Sequence, residues 1–381
     1  MLLSILAGIS ILLFTLLLIE LAGAGRSIPK LGQLSSERSS WPSVSIVIAA
    51  LNEEATIAEA LDSVLALDYP DLEVVFVDDR SSDATGSIVA ARATKDRRLR
   101  LVTVRELPEG WLGKNHALHV GAGQARGEML LFTDADIVFE PTALRRAVGY
   151  MEDTKIDHLT AGAEVRSRSV PLGMFIAAFG FFFVLYARPW RARNPRSRAH
   201  VGIGAFNLVR SSVYRRMGGH EPIAMRTDDD MMLGKLVKKS GAIQDFVSAI
   251  GMIRVEWYPS VREAIRGLEK NAFTGCNYSM TLVVMGTLTL LALYVWPFVA
   301  LFVTDGWLRA ANGLIVAVIL SIIAILSHAT GSRWWYAFGF PFATLLFIYV
   351  LWRSAILALA NGGIDWRGTH YPLAALRANK V

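Results

Sequence analysis

Apolar residues fall into two patterns along this chain. In the interior they come as short bursts. Residues 43–50 (SVSIVIAA) form a β-branched run that reads as a buried strand, and 54–67 place Ile57, Leu61, Val64 and Leu65 on one helical face. The pattern continues as a strand over 72–77, a helix over 83–94, a strand over 99–104, a helix over 114–125 and a strand beginning at Met129. Such short βα alternation predicts an α/β fold with a doubly wound, mostly parallel sheet. At the two ends the apolar residues run on uninterrupted. Residues 1–19 carry no charge, and 281–304, 311–327 and 334–352 are further long runs, the last broken by Pro341. These are four candidate membrane spans. Residues 172–187 are also apolar but shorter. Arg166 and Arg168 precede them and Arg188, Arg191, Arg193, Arg196 and Arg198 follow, so this segment is expected to lie on or dip into the cytosolic leaflet rather than cross.

Carboxylates gather where the strands stop. Met129, Leu130, Leu131 and Phe132 give way abruptly to Thr133, Asp134, Ala135 and Asp136. In an open α/β sheet the carboxyl edge binds ligands, and two hard oxygen ligands there suit Mg²⁺ or Mn²⁺ holding a diphosphate. A polar turn capping the helix that starts near Pro141 accounts for the same residues. The strand over 72–77 ends in Asp78 and Asp79, adjacent acids that repel unless a cation or hydrogen-bond donors answer them. The imide N–H and ribose hydroxyls of a nucleotide are such donors. Ser82 or Asp83 is expected to cap the next helix.

Composition agrees with a membrane protein. Hydrophobic residues make up 53% of the chain and charged residues 19%. The amino-terminal apolar run lacks a positive residue before it and has Arg26, Lys30 and Arg38 after it, which favours an uncleaved anchor with that flank, and the domain beyond, in the cytosol. The net charge is +6, and much of the excess lies in the arginine cluster after 172–187, so anionic headgroups rather than nucleic acid are its expected partner. Cys276 is the sole cysteine, which rules out an intrachain disulfide.

Four segments in order, VIAALNEE (47–54), VVFVDDRSSD (74–83), GKNHAL (113–118) and LLFTDAD (130–136), resemble the nucleotide-sugar half of family 2 glycosyltransferases, which have the Rossmann-like GT-A fold. GIGAFNLVRSSVYRRMGGH (202–220) and TDDDMMLGKLVKKSGA (227–242) resemble the acceptor half. GWLGKNHAL together with GGIDWRGTHYPLAALRA near the carboxyl end is similar to membrane-bound hopanoid-associated glycosyltransferases and, more distantly, to ceramide glucosyltransferases. The resemblance implies that Ala50, Asn52 and Glu53 border the base and ribose, that Asp78 or Asp79 accepts from a uracil-type ring, and that Asp134 and Asp136 hold the divalent ion, Asp136 more directly. It implies that Lys114 meets phosphate or donor sugar and that Asn207 reaches the sugar, a turn-forming role being the alternative for Asn207. The last acid before the helix ending at Gly241 is the acceptor base in that family, which selects Asp230, with Asp229 as its neighbour and substitute; helix capping is the plainer role for such acids. His116 and His119 are left structural or solvent-facing.

Many membrane-bound relatives carry Q-x-x-R-W after the base, and this chain has none. In its place Arg262, Arg266 and Lys270 recur every four residues, so Arg266 and Lys270 either reach the donor diphosphate or form a solvated face balanced by Glu263 and Glu269. Trp366 and Arg367 are a second possible substitute. The expected organisation is an anchor over 1–24, a GT-A domain over 43–260 containing the interfacial 172–187, an interfacial helix over 261–280, membrane helices over 281–360 and a tail over 361–381. Arg367, Arg377 and Lys380 argue for a cytosolic tail, whereas one amino-terminal span plus three more puts it outside. The expected activity is inverting transfer of one sugar, from a nucleoside diphosphate sugar (a UDP-sugar above others) to a lipid acceptor, at a bacterial-type inner membrane. A processive polysaccharide synthase and a catalytically silent sugar-nucleotide sensor are the rivals.

Overall fold

The structure is a computed structural model and describes residues 2–381. The chain forms two compact units: one holds the segment ending at Ser27, Val165–Tyr186 and Glu256–Ile364, the other Ile28–Glu164, Ala187–Val255 and Asp365–Val381.

The second unit is built on one sheet of seven strands. These are β1 (Val44–Ala50), β2 (Leu72–Asp79), β3 (Leu99–Val104), β4 (Met129–Asp134), β5 (His158–Gly162), β6 (Asn207–Arg210) and β7 (Gln244–Ser248), in the order β3-β2-β1-β4-β6-β5-β7. β1 runs parallel to β2 and β4, β2 to β3, and β5 to β7, while β6 is antiparallel to both β4 and β5. The sheet is therefore mostly parallel, as the alternation predicts. Register matters for function: Ala50 is level with Asp78 and Ala49 with Asp134, so the acid-bearing ends of β1, β2 and β4 reach the same edge.

Ile46, Ile48, Val74, Phe76 and Leu131 are buried on one face of the sheet, in the same core as Ile57 and Leu61 of helix Ile57–Leu65 and Leu144 and Val148 of helix Ala143–Thr154. Helix Gly113–Gln124 lies against Val47 and Val77, and does so closely because Gly121 has no side chain; a Cβ there would run into both valines. The edge helices are shorter than periodicity suggested, Ile57–Leu65 and Thr85–Ala93, because polar loops take up the residues before them. The cap position of the second of these is Ala84, which makes no side-chain cap; Asp83, one residue before it, accepts from Thr85 N–H at 2.9 Å.

The first unit is helical. By length and composition five helices among the described residues could cross a membrane: Leu3–Ser27, Val170–Arg191, Met280–Val303, Gly306–Ala329 and Trp334–Ala360. The sequence reading counted four. The fifth, Val170–Arg191, begins before the apolar run and includes the turn Pro189–Arg191, which makes it long enough to qualify. Nor does Pro341 break its run. It sits in the first turn of Phe340–Ala360, after the 3₁₀ segment Trp334–Gly339, where a missing N–H costs nothing. Phe14, Phe181, Tyr294 and Phe340 meet edge to face with ring centroids 5.5–6.0 Å apart. Outward the unit shows Ile19, Phe302 and Phe342, at 65%, 84% and 75% exposure, as expected of helices solvated by lipid.

Two further differences from the sequence reading concern boundaries. The segment 172–187 groups with the membrane helices rather than with the sheet, and residues 365–381, taken as a separate tail, fold as part of the sheet unit.

Candidate active site

At the end of β4, Asp134 faces Lys114, the second residue of helix Gly113–Gln124. Lys114 Nζ lies 2.7 Å from Asp134 and 3.4 Å from Asp229. Burial works to lower the pKa of this ammonium, but Asp134, Asp229 and Asp230 together outweigh it and raise it, so the lysine is held charged. That answers its poor position against the helix dipole.

Asp229 and Asp230 open helix Asp229–Lys239 rather than preceding it. Asp228, at the cap position of that helix, makes no side-chain cap and pairs with Arg226 through two contacts of 2.8 Å. Asp230 accepts from Gly204 N–H at 2.9 Å and from Met231 N–H at 2.7 Å. Burial and the neighbouring Asp229 nonetheless raise its pKa to about 7, against the pull of Lys114.

Gly204 joins the two acidic clusters. Its carbonyl accepts from Asp134 N–H at 3.0 Å while its own N–H donates to Asp230. A side chain there would collide with the Asp134 carboxylate. Two residues back, a Cβ on Gly202 would overlap the carbonyl oxygen of Asp230 itself. Gly202→Ala is therefore expected to displace the start of helix Asp229–Lys239 and reduce transfer at least about tenfold, a milder loss than removing the carboxylate; a kinetic assay with a melting curve beside it checks this.

The nucleotide side is tied loop to loop. Asn52, in the left-handed region at φ 56°, donates from its N–H to Ser81 Oγ at 3.0 Å, and its side-chain oxygen accepts from Ser82 N–H at 2.8 Å. Glu53 N–H donates to Thr85 Oγ1 at 2.8 Å, and the Glu53 carboxylate accepts from Arg367 at 2.5 Å. Ala50, buried, ends β1 beside Asp78. Of the two candidate base acceptors, Asp79 is gripped by the Arg80 guanidinium at 2.7 and 2.9 Å, whereas Asp78 accepts the backbone N–H of Ser81 at 3.2 Å. Asp78 is thus the acid with capacity left for a base.

Asn207 lines the same pocket as Lys114, Asp134, Asp229 and Asp230. Its side-chain oxygen is 3.1 Å from Nε2 of His158, a buried ring whose pKa burial lowers to about 4. His116 and His119 both pack on Trp111, at 5.6 and 4.9 Å between ring centroids. Trp366 and Arg367 lie in the sheet unit, Arg367 on the Leu51–Glu53 loop. Arg266 and Lys270 lie on helix Val261–Gly275 of the other unit, where Arg266 pairs with Glu263 at 3.2 Å and Glu269 pairs with Arg353 at 2.5 Å. The sequence reading passed over Gly204, His158, Tyr371 and Asn115. Only Gly204 left a signal, as one of two glycines closely spaced before Asn207.

No group of three or more His, Cys, Asp or Glu side chains able to hold a metal ion exists among the described residues. The pair at β4 still fits one. Burial, Asp134 and Glu53 raise the pKa of Asp136, the mark of a carboxylate short of positive charge. One or two carboxylates plus substrate phosphates is the usual protein contribution to Mg²⁺.

A family model described as "Glycosyl transferase family 2" matches residues 45–218. The chain is 29% identical over 215 residues to "Probable glycosyltransferase YdaM" of Bacillus subtilis, covering 55% of this chain and 49% of that protein. It is 30% identical over 141 residues to the poly-beta-1,6-N-acetyl-D-glucosamine synthase of Staphylococcus epidermidis, covering 37% and 33%. The chain thus spans about half or less of these curated relatives. Among solved structures it is similar to a mannosyltransferase from Pyrobaculum calidifontis in complex with GDP-Man and Mn²⁺, at a TM-score of 0.55 and 22% identity over 94% of this chain and 99% of that one, a likeness of fold. Residues 45–218 of this chain are a family 2 glycosyltransferase domain on the GT-A fold.

Proposed function

We propose that the chain is an inverting glycosyltransferase that moves one sugar from a nucleoside diphosphate sugar, a UDP-sugar above others, to a hydroxyl of a membrane lipid. The observation that carries the reading is Gly204, whose peptide group ties the Asp134 edge to the Asp230 carboxylate and so holds a diphosphate site and a base in one frame. Asp230 takes the acceptor's proton as the acceptor oxygen bonds to the anomeric carbon, and the bond from that carbon to the diphosphate breaks on the opposite face. Asp136 and Asp134 would hold a divalent ion, which when bound neutralises charge on the departing diphosphate. Lys114 adds a fixed cation beside Asp134, and Asn207 reaches the sugar. Asn52, Glu53 and Asp78 border the base and ribose.

A lipid acceptor is supported by the long apolar helices and their exposed apolar faces. Their lipid-facing character fits a multi-pass protein of a bacterial-type inner membrane whose sheet unit lies in the cytosol. Within lipids, a hopanoid or another polycyclic or sphingoid alcohol is the acceptor that the terminal GGIDWRGTHY pattern implies. Similarity to a polysaccharide synthase favours a second reading, repeated addition to a growing chain.

Transfer of radiolabelled sugar from a panel of UDP- and GDP-sugars, by protein purified in detergent with host lipids and Mn²⁺ or Mg²⁺, separates these. Label in a discrete chloroform-extractable lipid is the expected result. A water-soluble labelled polymer would replace it with the synthase reading, and nucleotide binding without transfer would mean a sensor.

A further inference from the structure

Residues 365–381 are fastened to three loop regions of the sheet unit, each of which holds or leads into a residue of the site. At the turn between Gly363–Trp366 and Thr369–Pro372, Arg367 and Gly368 adopt φ of 49° and 79°. From this turn Arg367 donates to the Leu51 carbonyl and to Glu53. Tyr371 Oη accepts at 3.2 Å from the N–H of Gly113, the residue before Lys114. Asn379 accepts from Met225 N–H at 2.9 Å and donates to Pro222 O at 3.0 Å, on the loop that leads to Asp229 and Asp230.

The second and third loops are also joined to each other. Leu112 N–H donates to Ala224 O at 2.9 Å, and Asn115 Nδ2 lies 2.8 Å from Ile223 O and 2.9 Å from Arg226 O. Arginine is a poor choice for a left-handed turn position, which Asn, Asp or Gly occupies at less cost. Its guanidinium fork, however, spans a carbonyl and a carboxylate at once.

We propose that residues 365–381 are a strap that completes the nucleoside diphosphate site, with Arg367 as a positioning residue that holds the Leu51–Glu53 loop in its binding conformation. This rests on the reading of the site given above and adds a coupling that the reading does not require. Strap docking and nucleotide binding strengthen each other by one common factor, because linkage between two binding events is reciprocal. Lys cannot span both acceptors, so Arg367→Lys recovers only part of what Arg367→Ala loses.

The test uses full-length protein in detergent with UDP, GDP and Mn²⁺ as probes. Dissociation constants are measured by calorimetry for wild type, Arg367→Ala and Arg367→Lys, and backbone hydrogen exchange over 365–381 is followed in wild type with and without nucleotide. Arg367→Ala is expected to bind the nucleoside diphosphate about tenfold more weakly, the size of effect that follows loss of a charge-assisted hydrogen-bond pair. Arg367→Lys should fall between, and the wild-type strap amides should exchange more slowly with nucleotide by a similar factor. The exchange measurement needs no variant, so a misfolded mutant does not blunt the test. Unchanged affinity in Arg367→Ala, or strap amides indifferent to nucleotide, overturns the strap while the nucleotide site stands. Wild type that binds neither nucleotide overturns both.

Discussion

Asp230→Asn is expected to lower sugar transfer by about 10²–10⁴-fold, the range that a general base contributes, with nucleotide affinity little changed. The acceptor's proton then has no carboxylate to go to. Asparagine also turns an NH₂ group toward one of the two backbone N–H donors, from Gly204 and Met231, that the carboxylate accepts. A melting curve taken beside the kinetics measures that cost separately. The wild-type pH profile carries the same signature. Only the carboxylate form accepts a proton, and the pKa of Asp230 is raised to about 7, so kcat/KM should fall as pH drops below neutrality. Because Asp229 helps to raise that pKa, Asp229→Asn should move the acid limb to lower pH and leave turnover measurable. Were Asp229 the base, its substitution would abolish turnover instead.

Asp136→Asn is expected to cost about 10²–10³-fold in transfer and to weaken Mn²⁺ binding in the presence of UDP by more than Asp134→Asn does. The asymmetry follows from Lys114. It already neutralises Asp134 at 2.7 Å, while Asp136 is left with burial, Asp134 and Glu53 all disfavouring its charge. A divalent ion relieves Asp136 most. Chelation with EDTA should stop wild-type transfer, and added Mn²⁺ or Mg²⁺ should restore it. Electron paramagnetic resonance of Mn²⁺ with UDP ranks the two variants, and equal losses, or transfer that survives EDTA, would refute the assignment.

The first four strands and the acids at their ends were legible because uninterrupted β-branched runs such as 43–50 stop sharply at charged residues. β5, β6 and β7 were not, since a short stretch such as Asn207–Arg210 carries too few positions to show a period. The grip of Arg80 on Asp79 was hidden for a different reason. Neighbours along a strand point to opposite faces, but Arg80 sits at φ 62° just beyond β2, which swings its side chain back. Gly204 as a bridge, and Arg367 on Glu53, depend on contacts between residues far apart in the chain, and no local pattern announces those. The acids themselves needed no such help, because the chemistry of a strand's carboxyl edge is local.

The strap also bears on how often the chain passes through a bilayer. Residues 28–164, 187–255 and 365–381 fold as one body, and one body occupies one side of a membrane. The chain departs from it at Val165 and rejoins it at Ala187, then departs again at Glu256 and rejoins at Asp365. Each excursion must make an even number of crossings. The first contains a single long helix, Val170–Ala187, which on this parity is expected to make none and to lie within one leaflet, as the arginines at its ends also suggest. The second contains three long apolar helices, of which two are expected to traverse and one to stop short. The expectation is that part of the apolar surface runs along the membrane rather than through it, at the depth where a lipid's hydroxyl would meet water.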